Sequence, residues 1–135
     1  MSKGNYEIAK DLEALAVEVI RERPDLSVIS ENGLSIAFIR SDVKKKGKNK
    51  IIFADCRKVS EVYTAFIHYD FIITFYEPNV ALLDEDKIKV LMWHELKHCG
   101  VDEKGNPYVV PHDIEDFSCI IKEYGLGWNI PKETE

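Results

Sequence analysis

The sequence lacks the features that mark membrane-spanning, secreted or disordered proteins. No apolar run approaches the roughly 20 residues that a membrane helix needs. Residues 1–20 do not resemble a secretory signal, because acidic residues interrupt their apolar stretch and no small-residue cleavage site follows. The charged fraction, 31%, is too balanced between the two signs for a disordered chain. We therefore expect a cytoplasmic protein that neither spans nor binds a membrane.

Cysteine is scarce, and basic residues are outnumbered by acidic ones. The three cysteines, Cys56, Cys99 and Cys119, form no CxxC pair, which argues against a disulfide framework or a thiolate zinc knuckle and favours buried free thiols. The net charge of -6 argues against nucleic acid as the main partner. The lysine run at 44–50 is the exception. No aromatic residue interrupts it, so a solvated hairpin turn is favoured over a nucleic-acid contact.

The pattern of apolar residues predicts one α+β domain over residues 1–135, and 45% hydrophobic residues can supply its core. The predicted elements are a helix at 6–23, strands at 34–39, 50–54 and 70–76, a short helical stretch at 59–66, a helix at 84–99, a short strand at 108–110 and a helix at 111–124. Asp84 can cap the N-terminus of the predicted helix at 84–99. Gly100 is expected to end that helix in the left-handed conformation. The sheet is expected to be small and mainly antiparallel.

The helix at 84–99 contains the motif H-E-x-x-H at His94, Glu95 and His98. Four residues make about one helical turn, so both imidazoles project from one face and can hold one metal ion. Two neutral imidazoles suit Zn²⁺. Glu95 leans to the side of that face, where its carboxylate can take a proton from a zinc-bound water. The motif therefore predicts two ligands and a catalytic base on one helix.

A catalytic zinc usually has three protein ligands and one open position, so a third ligand is required. His112 is the favoured candidate, at the start of the last predicted helix after a turn that can bring it back. Glu115, Asp113 and Asp116 compete with it, since a carboxylate could also complete the site. Any of these acids that does not ligate could accept the second N–H of a ligand histidine, and Asp116 is the best placed on helical spacing.

The remaining candidate residues favour ordinary structural roles. His68 lies before a predicted strand, Cys99 lies on another face of the helix from His98, and both indicate packing or surface positions. Tyr108 and Tyr124 are the tyrosines nearest the motifs in sequence and could stabilise an oxyanion, although packing is the simpler role. The strand Phe71–Tyr76 could instead bind an extended substrate by strand addition at a sheet edge.

The stretch Leu91–His98, followed by Pro111-His112-Asp113-Ile114-Glu115-Asp116-Phe117, resembles the phage metallopeptidase family of phage and prophage genomes. That family carries a "HEL.H" helix followed by an "HD..DF" segment. The resemblance implies a minimal zincin-like fold, akin to SprT-like zinc peptidases. It also implies Zn²⁺ bound by His94, His98 and His112, with Glu95 as catalytic base. Lys97 departs from the apolar or small residue common inside the motif, and we expect it to face solvent.

Together these patterns predict a zinc metallopeptidase that hydrolyses a peptide bond in a narrow range of protein substrates. A dedicated peptidase that processes one regulator fits the short chain, which has no evident propeptide or lid to restrain a general protease. The alternative is a zinc-stabilised, phage-encoded interaction module without catalytic activity, in which the metal contributes only folding energy. A nucleic-acid-associated role would rest on analogy of fold alone.

Overall fold

The computed structural model describes residues 5–47 and 50–112. The helices are α1 (Lys10–Glu22), α2 (Ser27–Glu31), α3 (Glu77–Val80) and α4 (Glu85–Leu96), with 3₁₀ turns at Pro24–Leu26 and Glu61–Ala65. The strands are β1 (Tyr6–Ile8), β2 (Ile36–Ser41), β3 (Lys46–Gly47), β4 (Lys50–Ile51), β5 (Ala54–Lys58), β6 (Phe71–Tyr76), β7 (Cys99–Val101) and β8 (Pro107–Val109). Within the described ranges, no helix combines the length and apolar character needed to cross a bilayer.

Four strands form the main sheet in the order β1-β2-β6-β5. Strand β2 pairs antiparallel with β1 and parallel with β6, and β5 pairs antiparallel with β6. Two small antiparallel hairpins, β3–β4 and β7–β8, stand apart from this sheet. The order places β6 in the interior of the sheet and leaves β5 at one edge.

The core lies between one face of the sheet and the two longer helices. Phe71, Ile73 and Phe75 alternate along β6 and are fully buried, as expected for a strand with neighbours on both sides and helices on one face. Helix α1 contributes one buried stripe, and α4 packs against both α1 and β5. Because α4 is enclosed in this way, apolar residues cover most of its circumference.

The predicted fold class is confirmed: the domain is α+β, with a small mixed sheet and several helices, and is compatible with a minimal zincin-like fold. Two of the three pairings in the main sheet are antiparallel. The N-terminal helix is shorter than predicted, because residues 6–8 pair with the end of β2 as a strand. Asp84 caps α4 as expected, accepting a hydrogen bond from the Lys87 N–H at 3.0 Å. The predicted helix at 111–124 lies outside the described residues, apart from its first two.

Gly100 does not have the predicted left-handed conformation. Among the described glycines, positive φ angles occur at Gly33 and Gly105, whereas Gly100 belongs to strand β7. The chain leaves α4 through a tight turn at Lys97 and His98 and enters β7 directly. A β-carbon at Gly100 would lie 2.6 Å from Cγ2 of Val110, so any larger residue there would force the Val110 side chain to move.

Candidate metal centre

The last turn of α4 positions the H-E-x-x-H motif. His94 and Glu95 lie within the helix, which ends at Leu96. His98 follows in a turn, and its backbone N–H donates to the Glu95 carbonyl at 3.1 Å. The tightening brings the His98 ring to 5.1 Å from the His94 ring, measured between centroids. Both rings therefore face the same space, as the spacing of the motif predicts.

The hairpin β7–β8 returns the chain to the end of α4 and carries His112 with it. Strand β7 begins next to His98, and Cys99 pairs with Val109 across the hairpin. Immediately after β8, the Val110 N–H donates to the His98 carbonyl at 2.7 Å. This bond fixes the path of the chain two residues before His112. The short β7–β8 hairpin thus brings His112 back to the motif.

The imidazoles of His94, His98 and His112 converge. The Nε2 atom of His112 lies 3.1 Å from Nε2 of His94 and 3.1 Å from Nε2 of His98. The ligand-capable atoms of all three residues lie within 4.8 Å of one another. Three nitrogen ligands at about 2.0–2.1 Å from a tetrahedral zinc ion would be separated by roughly 3.3 Å. The cluster has the chemistry and spacing to hold a metal ion.

The protonation of His98 strengthens this fit. Its Nδ1 lies 2.6 Å from the Val110 carbonyl oxygen, and because a carbonyl can only accept, Nδ1 carries the proton. In the neutral ring Nε2 then bears a lone pair, and Nε2 is the atom that points to the other two histidines. A hydrogen bond from the second ring nitrogen to a backbone carbonyl is the usual way in which proteins orient a ligand histidine.

Glu95 provides a carboxylate beside the three imidazoles. Only 4% of the residue is exposed, and its Oε2 lies 3.9 Å from Nε2 of His94. That separation is too long for a hydrogen bond between the two groups. Glu95 nevertheless lines the same cleft as the three histidines. The carboxylate is therefore close enough to act on a water molecule at the centre while remaining outside the cluster of nitrogen atoms.

A cleft of about 300 Å³ opens onto the cluster. One side is formed by α4, through Leu91, His94, Glu95 and the adjoining His98. The opposite wall is the segment 50–56, which joins β4 to the edge strand β5. A ligand reaching the histidines would therefore lie between the end of α4 and this wall.

Among the strands of residues 5–47 and 50–112, none pairs with the edge of β5 that faces away from β6. The Tyr76 N–H donates to the Phe53 carbonyl, and the Val59 N–H donates to the Asp70 carbonyl, both at 2.9 Å. In an antiparallel ladder such bonds recur at every second residue, so the odd-numbered residues between 53 and 59 bond towards β6. The backbone groups of Ala54 and Cys56 consequently point outward, and both residues line the cleft.

Asp55, on the cleft wall, is held in a polar cluster. Its Oδ2 accepts a 2.7 Å hydrogen bond from the Tyr76 hydroxyl and lies 3.6 Å from the Lys45 Nζ and 3.4 Å from an Arg57 nitrogen. Burial, followed by the bond to Asp55, raises the pKa of Tyr76. The phenol therefore stays protonated and can continue to donate at neutral pH. The cluster offsets the negative charge of Asp55.

Cys99 is buried, as predicted, and its Sγ lies 3.7 Å from Sγ of Cys56. The contact with Cys99, together with burial, raises the pKa of the Cys56 thiol. Both thiols are free, and this pair packs β5 against the start of β7. The third cysteine, Cys119, lies outside the described residues.

The structure separates the other predicted candidates from the cluster. His68 is exposed outside the cleft, and its carbonyl accepts from the Ser35 hydroxyl at 3.3 Å. Tyr108 is 41% exposed and does not line the cleft. The competitors for the third ligand position, Asp113, Glu115 and Asp116, lie outside the described residues, as does Tyr124.

Two features of the site were missed in the sequence. The Val110 carbonyl that orients His98 belongs to the backbone, and no side-chain pattern marks it. A strand was predicted at 50–54, within the cleft wall, but the sheet edge was expected at Phe71–Tyr76. That assignment is wrong, because this strand is β6, which is paired on both sides. The pattern along one strand could not have indicated an edge, because an edge depends on the order of the strands in the sheet.

Comparison with known proteins identifies a family for nearly the whole chain. The sequence profile described as "putative phage metallopeptidase" matches residues 4–134. The chain belongs to this family. No curated protein and no solved structure matches it. Membership in a peptidase family implies a protein or peptide substrate, and the three converging histidines could bind a metal ion.

Proposed function

We propose that the protein is a zinc-dependent metallopeptidase in which His94, His98 and His112 bind the metal and Glu95 is the catalytic base. The observation that carries the proposal is the convergence of three imidazole Nε2 atoms beside a buried carboxylate, in a cleft open to a ligand. Membership in the phage metallopeptidase family supports the same reaction class.

The proposed chemistry assigns a distinct task to each residue. A bound Zn²⁺ would polarise both a water molecule and the substrate carbonyl. Glu95 would take a proton from the attacking water and pass it to the amine that departs when the C–N bond breaks. Burial of Glu95 keeps bulk water away from this transfer. The bond from His98 to the Val110 carbonyl holds one ligand ring in its orientation throughout.

The edge of β5 is the proposed platform for the substrate. An extended peptide can add to a sheet edge through main-chain hydrogen bonds, whatever its side chains. The outward-facing backbone groups of Ala54 and Cys56 would supply those bonds on the wall opposite α4. A scissile bond held along this wall would face the three histidines.

A zinc-stabilised interaction module is the second candidate, because a three-histidine centre could serve folding alone. A structural zinc site is normally closed by a fourth protein ligand. Among the described residues the cluster contains three potential ligands, and all of them line the cleft. A centre whose histidines line an open cleft is accessible to a substrate, which favours the enzyme over the module.

Cleavage of a defined peptide pool would test the proposal. Wild-type protein with one equivalent of Zn²⁺ is incubated with a mixed-sequence decapeptide pool, and new termini are identified by mass spectrometry. We expect discrete cleavage that stops when zinc is chelated and resumes when zinc is restored. Loss of a general base usually costs roughly 10²–10⁴-fold in rate, so Glu95→Gln should cleave at least a hundredfold more slowly.

The matched control is Glu85→Gln, the same change in the exposed first turn of α4. This variant should cleave at the wild-type rate. Equal cleavage by Glu95→Gln and wild type would overturn the assigned base. Zinc binding without cleavage of the peptide pool or of any host or phage protein extract would favour the interaction module.

A further inference from the structure

A group of lysines lies at one end of the cleft wall. Strands β3 and β4 pair antiparallel, with Gly47 opposite Lys50. We call Lys44–Gly47 together with Lys50–Ile51 the basic hairpin. Lys44, Lys46 and Lys50 in it are exposed, and Lys50 lines the cleft that leads to the three histidines. The lysine run expected to be a solvated turn is therefore also part of the entrance to the site.

The charges around this entrance do not cancel. Lys45 is engaged by Asp55 and by the Tyr76 hydroxyl, 3.3 Å away. Asp55 is the carboxylate on the wall, and Arg57 also contacts it. Across residues 5–47 and 50–112, no carboxylate oxygen lies within 4.0 Å of the Nζ atoms of Lys44, Lys46 or Lys50. Among the described residues, these three lysines make the hairpin end of the wall positive, although the whole chain has a net charge of -6.

We propose that the basic hairpin selects peptide substrates with acidic residues, through Lys50 first and Lys46 second. The proposal rests on the proposed function, since it assumes that the peptide lies along the wall at 50–56. A peptide in that position passes Lys50 at one end of the wall. Asp or Glu side chains there would be attracted to the lysines, and Lys or Arg side chains would be repelled.

An acidic peptide fits this surface better than nucleic acid does. Three exposed lysines are few for a nucleic-acid site, which commonly neutralises about 6–10 phosphates. No aromatic side chain stands among the described residues of the hairpin to stack on a base. The hairpin also continues directly into the wall whose free backbone edge suits an extended peptide.

The expected effect is moderate, because the lysines are exposed and salt screens them. An exposed ion pair contributes about two- to fivefold in affinity, and reversing one charge replaces attraction with repulsion. Lys50→Glu should therefore weaken binding of an acidic peptide by roughly five- to twentyfold at low salt. Most of the difference should disappear at an ionic strength near 0.5 M, where the screening length is only about 4 Å.

The test measures binding separately from cleavage. Zinc-loaded Glu95→Gln protein is titrated against three fluorescein-labelled decapeptide pools that contain three Glu, three Gln or three Lys at otherwise random positions. Fluorescence anisotropy should rank the pools Glu, Gln, Lys in order of decreasing affinity. Adding Lys50→Glu should weaken binding of the Glu pool by roughly five- to twentyfold, and adding Lys50→Gln should weaken it by a smaller factor. Lys10→Glu, the same charge change at an exposed position of α1 away from the cleft, should leave the order unchanged.

Each other outcome is decisive. Equal affinities for the three pools, or no loss of affinity for the Glu pool in the Lys50 variants, would overturn the proposal. Displacement of the Glu pool by a thymidine 20-mer at lower concentration than by unlabelled Glu peptide would assign the hairpin to nucleic acid and also overturn it. Cleavage of all pools without acidic preference would leave the peptidase standing and remove this inference. Lys50-dependent binding without any cleavage by wild type would do the reverse.

Discussion

At the scale of single residues, the site depends on a backbone contact as much as on its motif. The pattern H-E-x-x-H predicts that His94 and His98 share a face, and the structure places their rings together. The sequence also predicts His112 as a candidate ligand, and in the structure its Nε2 lies 3.1 Å from Nε2 of both His94 and His98. Its role as a ligand stays a prediction. The role of the Val110 carbonyl could not be predicted from the sequence, because every residue has a backbone carbonyl.

Lys97, inside the motif, does not simply face solvent as expected. Its Nζ lies 2.9 Å from Oδ2 of Asp25, which also accepts from the indole N–H of Trp93 at 3.0 Å. Asp25 lies in the 3₁₀ turn after α1, so these bonds tie that turn to the end of α4. The residue that departs from the family pattern thus helps to position the helix that carries the motif.

This contact predicts a pH-dependent contribution to stability. Burial acts to raise the pKa of Asp25, but the hydrogen bonds from Lys97 and Trp93 outweigh it, and the pKa falls below its usual value of 3.8. A carboxylate with a lowered pKa stabilises the fold above that usual value and loses the contribution as the pH falls through the folded-state pKa. Asp25→Asn should therefore cost about 1 kcal/mol at pH 7 and progressively less below pH 4.

Urea unfolding of wild type and Asp25→Asn between pH 7 and pH 2.5 would measure this difference. Lys97→Met should remove most of its pH dependence, because Lys97 supplies the largest stabilising contact to the carboxylate. A difference between wild type and Asp25→Asn that stays constant down to pH 2.5 would contradict the assigned ion pair.

At the scale of elements, helices and strands could be predicted but their partners could not. The apolar run at 71–76 indicated a strand, and β6 spans those residues. Its parallel pairing with β2 and antiparallel pairing with β5 depend on contacts between segments far apart in sequence. The wrong assignment of a sheet edge followed from this, since an edge is a property of the strand order and not of one strand.

Gly100 is the element-scale residue with the clearest consequence. It lies opposite Tyr108 in the β7–β8 hairpin, and Val110 packs against the space where a side chain would be. Gly100→Ala would force Val110 away, and overpacking of this kind costs roughly 1–3 kcal/mol. Val110 also supplies the carbonyl that orients His98, so we expect Gly100→Ala to weaken metal binding by about 10–100-fold.

A double-mutant cycle separates packing from a general loss of stability. Val110→Ala keeps the carbonyl and removes the methyl group that Gly100→Ala would meet, so the double variant should regain both stability and metal affinity. The free energy of unfolding comes from urea denaturation, and metal affinity from competition with a chromophoric chelator. Strictly additive effects of the two substitutions would contradict the proposed clash.

At the scale of the whole molecule, the α+β class and the order of the main elements could be read from hydrophobic periodicity. The family resemblance was carried by the motifs of the last third of the chain, whereas the family profile spans residues 4–134. What sequence could not provide is the cleft, which requires α4, the segment 50–56 and the β7–β8 hairpin to meet. Packing of three distant segments creates that space, and no local pattern encodes it.

The metal content of the purified protein shows most directly whether the three histidines bind zinc. Wild type, Glu95→Gln and His112→Ala are passed through the same purification, and zinc per chain is determined by atomic emission spectroscopy. We expect about one zinc per chain in wild type and in Glu95→Gln, since Glu95 is the proposed base and not a proposed ligand, with most of the zinc lost in His112→Ala. Wild type that contains no zinc and takes up none when zinc is added, or His112→Ala that retains a full equivalent, would contradict the three-histidine centre.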